Sequence, residues 1–305
     1  MLDLGRLKAL HAIAIHGTVG AAAEVLGYTP SAVSQQIAKL ERETRTTLLE
    51  RRGRGVRLTD AARLLADTAG QVLKLVEEAE VALEEQRGAA IGRLCVGSFA
   101  TAARGLLPEV LARLAEQHPA LDVRLTEIDP PHATEAVARG ELDMAIVHDW
   151  ANTPLPVPES LSRAFIVEDV AEVLVPATNP LSRREFLEPA DLAGERWICQ
   201  TEGSICYDWL ERTFHGAGIE PVVAYRISEY RTQIALLDKG IGVALIPRLG
   251  RGEVPDTVRV LPLRPTPTRR LYAVWRTQAS RRPAITAALD VIKQSVADQM
   301  SSPSS

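Results

Sequence analysis

The sequence predicts an α + α/β chain in three parts: a small helical head closed by a two-stranded hairpin, one long helix, and a two-lobed α/β body. Three observations carry that prediction. Residues 18–41 hold two short amphipathic helical patterns separated by Gly27 and Tyr28, and residues 58–83 repeat apolar side chains at alternating intervals of four and three. Beyond residue 90, apolar runs of strand length alternate with helical patterns, the signature of a parallel sheet covered by helices.

The bulk properties fit this division. A chain of 305 residues exceeds one ordinary core, and its 46% apolar and 24% charged content is that of a soluble globular protein. No apolar run approaches the roughly 18 residues needed to span a bilayer, and the first residues lack an export layout, so a cytoplasmic location without membrane contact is expected. The three cysteines, Cys95, Cys199 and Cys206, form no CxxC pair and have no histidine cluster beside them. Neither a disulfide framework, a metal site nor a cofactor is expected. The net charge of −4 hides an asymmetry: up to residue 58, nine Lys/Arg face five Asp/Glu, whereas the remainder carries 26 against 34. A basic head on an acidic body suits a nucleic-acid module joined to another domain.

In the head, Thr18 is placed to cap a helix running to Leu26, in which Ala21, Ala22 and Ala23 permit a second helix to approach closely. Thr29 caps that second helix, with Pro30 at its first position, where a missing N–H costs nothing. Val33, Ile37 and Leu40 form the inward stripe, so Ser31, Gln35, Ala38 and Arg42 face outward, flanked by Ser34 and Lys39. This is a helix-turn-helix, whose second helix enters the major groove near its N-terminal end. Ser31, Ser34 and Gln35 are the candidates for base edges, glutamine being able to pair bidentately with adenine, and Thr29, Pro30 and Lys39 complete the DNA-facing set. The competing reading makes Gln35 and Gln36 solvated positions on an ordinary helix. Two short extended pieces around Gly53 and Gly55 then form a hairpin, or wing, carrying Arg51, Arg52, Arg54 and Arg57, whose guanidinium groups suit phosphates or the minor groove.

From Leu58 onward, Ala62, Leu65, Ala69, Val72, Val76, Ala79 and Leu83 form a heptad seam. With Thr59 as cap and Gly88 past its end, this helix runs about 28 residues, or roughly 42 Å. Pairing with a second chain through Leu65, Val72, Val76 and Leu83 is expected; the alternative is a surface helix packed on its own body.

The order of these parts, and the residues themselves, resemble the LysR-type transcriptional regulators. Thr18, Ala22, Ala23, Leu26, Thr29, Ala32, Val33, Ser34, Gln36, Ile37, Leu40 and Glu41 fall on that family's helix-turn-helix pattern, and Leu48, Arg51, Leu58, Thr59 and Ala61 continue it. The departures are Pro30-Ser31 where the family often has Gln-Pro, Leu49 for a phenylalanine before the wing, and Ala62 for a glycine after it. The first alters the DNA-facing surface; the others are packing positions. The resemblance implies a winged helix-turn-helix over residues 1–58, a linker and dimerisation helix over 59–87, and an effector-binding domain over 88–300. It further implies homodimers paired into homotetramers on an interrupted inverted repeat of double-stranded DNA, a small-molecule effector that modulates activity, and RNA polymerase as a partner.

In the body, strands are expected at RLCVGSF, LDVRLTEI and ELDMAIVHD, with helices over 106–117 and 133–139 between them. A second series runs through VAEVLVP, WIC, a helix over 207–216, PVVAYRI, a helix over 230–239, and GVALIP. The strand LYAVW and a helix over 283–297 come last. In the family these return to the first lobe, giving lobe I about 88–167 and 265–300, lobe II about 168–264, and crossings near 165–169 and 262–270. The resulting body resembles a periplasmic solute-binding protein, with a cleft between lobes where strands end and helices begin. Ser98, Thr101, His148, Gln200, Thr201, Ser204, Arg226 and Glu229 are the candidate effector residues. Ser204 serves equally as a cap for the Tyr207 helix, and Arg226 pairs equally with Glu229 or with a ligand carboxylate. Helix N-termini and the family lean toward a carboxylate metabolite.

An enzyme is not expected, since no GxxxxGK[ST], GxSxG or HExxH motif occurs, and Ser98, His148 and Asp149 suggest a triad by residue type alone. Within regulators, the alternative is redox sensing by Cys199 and Cys206, which flank the candidate ligand loop. No cluster of basic residues surrounds them to stabilise a thiolate.

Overall fold

The computed structural model describes residues 2–52 and 55–301, apart from the side chains at 51, 52, 55, 77, 80, 87, 300 and 301. Two compact units divide the chain, one ending at Gly88 and the other beginning at Ala89.

The first unit is built on three capped helices. α1 (Leu4–His16) begins where Asp3 accepts a hydrogen bond from the Arg6 amide. α2 (Val19–Leu26) is capped by Thr18 and ends at Gly27, whose φ of 66° is the left-handed conformation glycine adopts without a Cβ penalty. α3 (Pro30–Thr44) starts on Thr29, whose hydroxyl accepts from the Ala32 amide at 3.2 Å, with Pro30 in the first turn. The predicted stripe is the buried one: Val33, Ile37 and Leu40 join Leu10, Ile13 and Leu48 in one cluster, with Ala22 and Ala23 wholly enclosed. α1 adds to the predicted elements; Asp3 followed by Leu7, Leu10 and Ile13 carries its signal. β1 (Leu49–Arg52) and β2 (Gly55–Leu58) pair antiparallel, Leu49 opposite Leu58. Glu41 fastens this hairpin to α3 by accepting from the amides of Leu48 and Leu49 at 2.7 and 3.1 Å.

α4 (Asp60–Arg87) runs the 28 residues expected, between the Thr59 cap and Gly88. Its seam is shared differently from the expectation. Ala62, Ala66 and Ala69 are buried, and Leu65, expected at a dimer interface, packs half-buried against the head's own core. The cause is the small residues of the first three turns, which let α1 approach: a Cβ at Gly70 would lie 2.8 Å from the His11 ring, and His11 Nδ1 sits 3.0 Å from the Ala66 carbonyl. Val72 and Val76 are half-buried, while Leu64, Leu75 and Leu83 are 72%, 64% and 57% exposed.

The second unit centres on a mixed seven-stranded sheet. β3 (Gly92–Ser98) pairs in parallel with β4 (Leu121–Glu127) and β5 (Met144–Trp150), and β11 (Thr268–Arg276) lies antiparallel between β5 and β6 (Leu161–Pro176). The far half of β6 pairs antiparallel with β9 (Ala244–Pro247) and β10 (Val258–Leu261). Thus β6 spans both strand groups, and Ala171 donates to the Pro267 carbonyl where the returning chain passes it. Only the VAEVLVP part of this strand is expected from the sequence; in its first nine residues, LSRAFIVED, only Leu161 and Asp169 are buried, and the apolar residues follow no strict alternation that would mark a strand.

Alternation along β5 sorts the core. Met144 and Ile146 face α6 (Leu107–Gln117) and α10 (Pro283–Ser301), while Ala145 and Val147 face α7 (Pro130–Ala138) and the cluster of Trp150, Trp197 and Trp209. The helix expected over 106–117 is α6 itself, starting at Leu107 with Pro108 in its first turn, and the short α5 (Ala100–Gly105), which the sequence reading lacks, precedes it. β7 (Arg196–Cys199) pairs in parallel with β8 (Val222–Arg226), followed respectively by α8 (Ile205–Gly216) and α9 (Tyr230–Asp238). Among the described residues no helix is long and apolar enough to cross a membrane.

Candidate functional site

Two surfaces hold the candidate residues, one in each unit. On the first, Thr29, Pro30, Ser31, Ser34, Gln35 and Lys39 all lie exposed along the outward side of α3. Their exposure follows from the burial of Val33, Ile37 and Leu40 a third of a turn away. Thr29 has its hydroxyl oxygen engaged as the cap, which leaves Ser31, Ser34 and Gln35 as the polar side chains nearest the helix start. Arg57 is exposed on β2, opposite Glu50. Arg51 and Arg52 lie on β1 with undescribed side chains, and Arg54 lies outside the described residues.

The second unit encloses a cavity of about 290 Å³ into which β-strand ends and helix starts converge. Its most fixed member is Arg269, 1% exposed on β11. Nε and Nη2 donate to Asp169 Oδ2 at 2.9 and 2.8 Å, and Nη2 also donates to Thr101 Oγ1 at 2.7 Å. The guanidinium lies 5.1 Å from the Phe99 ring centre. Beside it His148, 2% exposed, meets Phe99 edge to face at 4.5 Å. Burial, reinforced by the Arg269 charge, holds the His148 pKa well below the ordinary imidazole range, so the ring is neutral. Its Nδ1 has no hydrogen-bond partner among the described residues.

The opposite wall comes from helix starts. Gln200 donates to Tyr230 Oη at 3.1 Å. Glu229 caps α9, accepting from the amides of Arg231 and Thr232 at 2.8 and 2.6 Å. Burial would raise its pKa, but those two amides and the Thr232 hydroxyl outweigh it and hold the carboxyl below the usual range. Arg104 Nη2 lies 3.7 Å from Glu229 Oε1. The short helix α5, which bears Thr101 and Arg104, is packed closely by Gly250, where a Cβ would stand 2.4 Å from the Thr101 carbonyl oxygen.

Of the eight candidates, Thr101, His148, Gln200 and Glu229 line this cavity. Four are placed elsewhere. Ser98 is wholly buried, its hydroxyl donating to the Phe99 carbonyl. Ser204 is the cap of α8, accepting from the Tyr207 amide at 3.2 Å, so its oxygen serves the helix. Thr201 is exposed and does not line the cavity. Arg226 pairs at the surface with Glu202, at 2.7 Å, rather than with Glu229. Sequence reasoning missed Arg104, Asp129, Tyr230 and Arg269. Tyr230 was within reach, adjoining Glu229 at a helix start. Arg269 was not, since its partner Asp169 lies 100 residues away.

The cysteines are free thiols. Burial, with the neighbouring Cys206, pushes Cys199 up to about 12, and burial likewise raises Cys206, whose Sγ is 3.7 Å from Tyr230 Oη. Among the described residues no group of three or more His, Cys, Asp or Glu is arranged to hold a metal ion.

Comparison with known proteins assigns a family to both units. Residues 4–63 match the family described as bacterial regulatory helix-turn-helix protein, lysR family, and residues 87–297 match the LysR substrate binding domain. The probable HTH-type transcriptional regulator LrrA of Synechococcus elongatus is 30% identical over 295 residues, covering 96% of this chain and 97% of that protein. Among solved structures, a full-length OxyR variant from Pseudomonas aeruginosa has a TM-score of 0.69 at 21% identity, covering 96% of this chain and 95% of its own. Full-length CbnR in complex with its target DNA has a TM-score of 0.53 at 22% identity, covering 97% and 100%. At such identities the structural likeness concerns the fold alone.

Proposed function

The chain belongs to the LysR family of DNA-binding transcriptional regulators, and on that premise we propose that it binds an interrupted inverted repeat as a homodimer or homotetramer, with activity modulated by a small molecule in the body's cavity. The observation that carries the proposal is α3: a hidden apolar stripe turns Ser31, Ser34 and Gln35 outward at the start of a capped helix. Such a helix presents hydrogen-bonding side chains at the depth of major-groove base edges. Gln35→Ala tests it. The expected loss is about 1–3 kcal/mol on the preferred site, with nonspecific duplex hardly affected; equal losses on both would remove the base-reading role.

Arg57 acts differently under this proposal. A guanidinium on the wing neutralises phosphate irrespective of sequence, so Arg57→Ala weakens all duplexes alike. Its signature is salt: the slope of log affinity against log salt concentration falls by about 1, and an unchanged slope would contradict a phosphate contact.

Oligomerisation is supported by α4, on which Leu64, Leu75 and Leu83 are left exposed. Leucines spread along a long helix ask for a partner. The proposed site of action is promoter DNA in the cytoplasm, with RNA polymerase as the partner there, and no catalytic step is invoked. In the body, effector binding shifts activity only through different affinities for two assembly states.

Redox sensing is the rival reading, and thiol chemistry weighs against it. A thiol pKa of about 12 leaves roughly a thousandth of the thiolate that an exposed cysteine carries at the same pH. Cys199→Ser is therefore expected to keep the regulatory response and its indifference to peroxide. Peroxide-dependent DNA binding that disappears in this variant would reverse the assignment.

A further inference from the structure

The charges around the cavity do not suit a simple anion. Two cations, Arg104 and Arg269, face three carboxylates, Glu127, Asp129 and Glu229. Arg269 is already neutralised by Asp169, and Glu229 holds the first amides of α9. What remains unmet has two signs. Arg104 reaches Glu229 through Nη2 at 3.7 Å, but its Nη1 is buried without an acceptor among the described residues, so the free valence on that side calls for a negatively charged oxygen. Glu127 and Asp129 are exposed, and neither forms a hydrogen bond or ion pair through its side chain among the described residues; Asp129 stands at the start of α7 without capping it. His148, which lines the same cavity, adds a neutral ring, 2% exposed, whose Nδ1 has no partner among the described residues.

A multiply charged anion would satisfy Arg104 and be repelled by the two carboxylates. An amine would do the reverse, leaving a buried guanidinium nitrogen unpaired. A small molecule bearing both charges meets all three demands, and the size of the cavity suits a compact one. We infer that the effector is a zwitterion of the amino-acid class, its carboxylate held by Arg104 and His148 and its ammonium by Glu127 and Asp129. This rests on reading the cavity as the effector site. It keeps the carboxylate expected from the sequence and adds the amine.

The test uses the full-length chain, with the common L-amino acids as probes at millimolar concentration, in thermal-shift and calorimetric titrations. For each amino acid that binds, its des-amino carboxylate and its decarboxylated amine are titrated in parallel. The expected result is that at least one amino acid binds, with both single-charge analogues weaker by about tenfold or more. Arg104→Ala weakens it by at least about tenfold, and so does Glu127→Gln combined with Asp129→Asn. The latter variant, altered only at exposed positions, also brings the amino acid and its des-amino analogue to similar affinity. No binding by any amino acid, an equally tight des-amino analogue, or an unaffected carboxylate variant would each overturn the zwitterion. A dicarboxylate such as succinate that binds through Arg104 and alters the operator footprint would overturn it while sparing the effector reading. An amino acid that binds as described yet never changes the footprint would spare the zwitterion site and sink the effector reading.

Discussion

Asp169→Ala is expected to destabilise the body by about 3–5 kcal/mol, the largest single effect predicted for this chain. Asp169 Oδ2 accepts two hydrogen bonds from Arg269, and its Oδ1 accepts from the Leu249 amide at 3.1 Å. The two side chains are 7% and 1% exposed. Removing the carboxylate therefore strands a guanidinium beside the Phe99 and Trp150 rings, with Thr101 as its one remaining hydrogen-bond partner among the described residues. Replacing both partners together, Asp169→Leu with Arg269→Met, abolishes the charge along with its counter-charge and should cost much less. Urea midpoints, with hydrogen exchange over β6 and β11, read both variants. A loss below about 1 kcal/mol for the single variant would show that the pair is solvated or replaceable. The pair also joins two strands whose residues are 100 apart in sequence, so it fixes where the returning strand sits against β6 and hence the floor of the cavity.

The second large effect belongs to the head. Ile37→Ala deletes buried methyl groups from a side chain 2% exposed among Leu10, Ile13, Val33 and Leu40, and is expected to cost about 2–5 kcal/mol. Because Ser31, Ser34 and Gln35 lie exposed, away from this buried stripe, the same change is expected to lower affinity for all duplexes through partial unfolding, unlike Gln35→Ala. Hydrogen exchange confined to α1, α2 and α3 identifies it. Unaltered protection there would mean that the stripe is not the structural face of the helix.

The contrast between head and body explains what could be read from the chain. The head is written in local rules: Thr18, Thr29 and Thr59 each cap the helix that the spacing placed after them, and Gly27 sits at the one positive-φ position between α2 and α3. Caps, stripes and turns depend on neighbours within a few residues, which periodicity captures. α4 shows the limit of that approach. Of its heptad positions, Ala62 and Leu65 pack into the head's own core, because a repeat states that a face is apolar without stating what covers it.

The cavity was half legible for a related reason. Positions just after strands and before helices gave Thr101, His148, Gln200 and Glu229. The same rule also gave Ser204, where a capping duty and a ligand contact leave identical sequence marks. Arg226 was chosen for its charge, but Glu202 takes that charge at the surface. Arg104, Asp129 and Arg269 came only with tertiary structure, since each acquires its meaning from groups on other elements.

The most direct test of the central claim is a footprint of the full-length protein on duplex from upstream of its own gene, read against a large excess of random-sequence competitor. The outward face of α3, doubled by a partner chain, predicts two protected half-sites related by a dyad and spaced by whole helical turns, each about 34–36 Å. Uniform, competitor-sensitive protection along the fragment, or a single protected half-site bound by one chain, would contradict it.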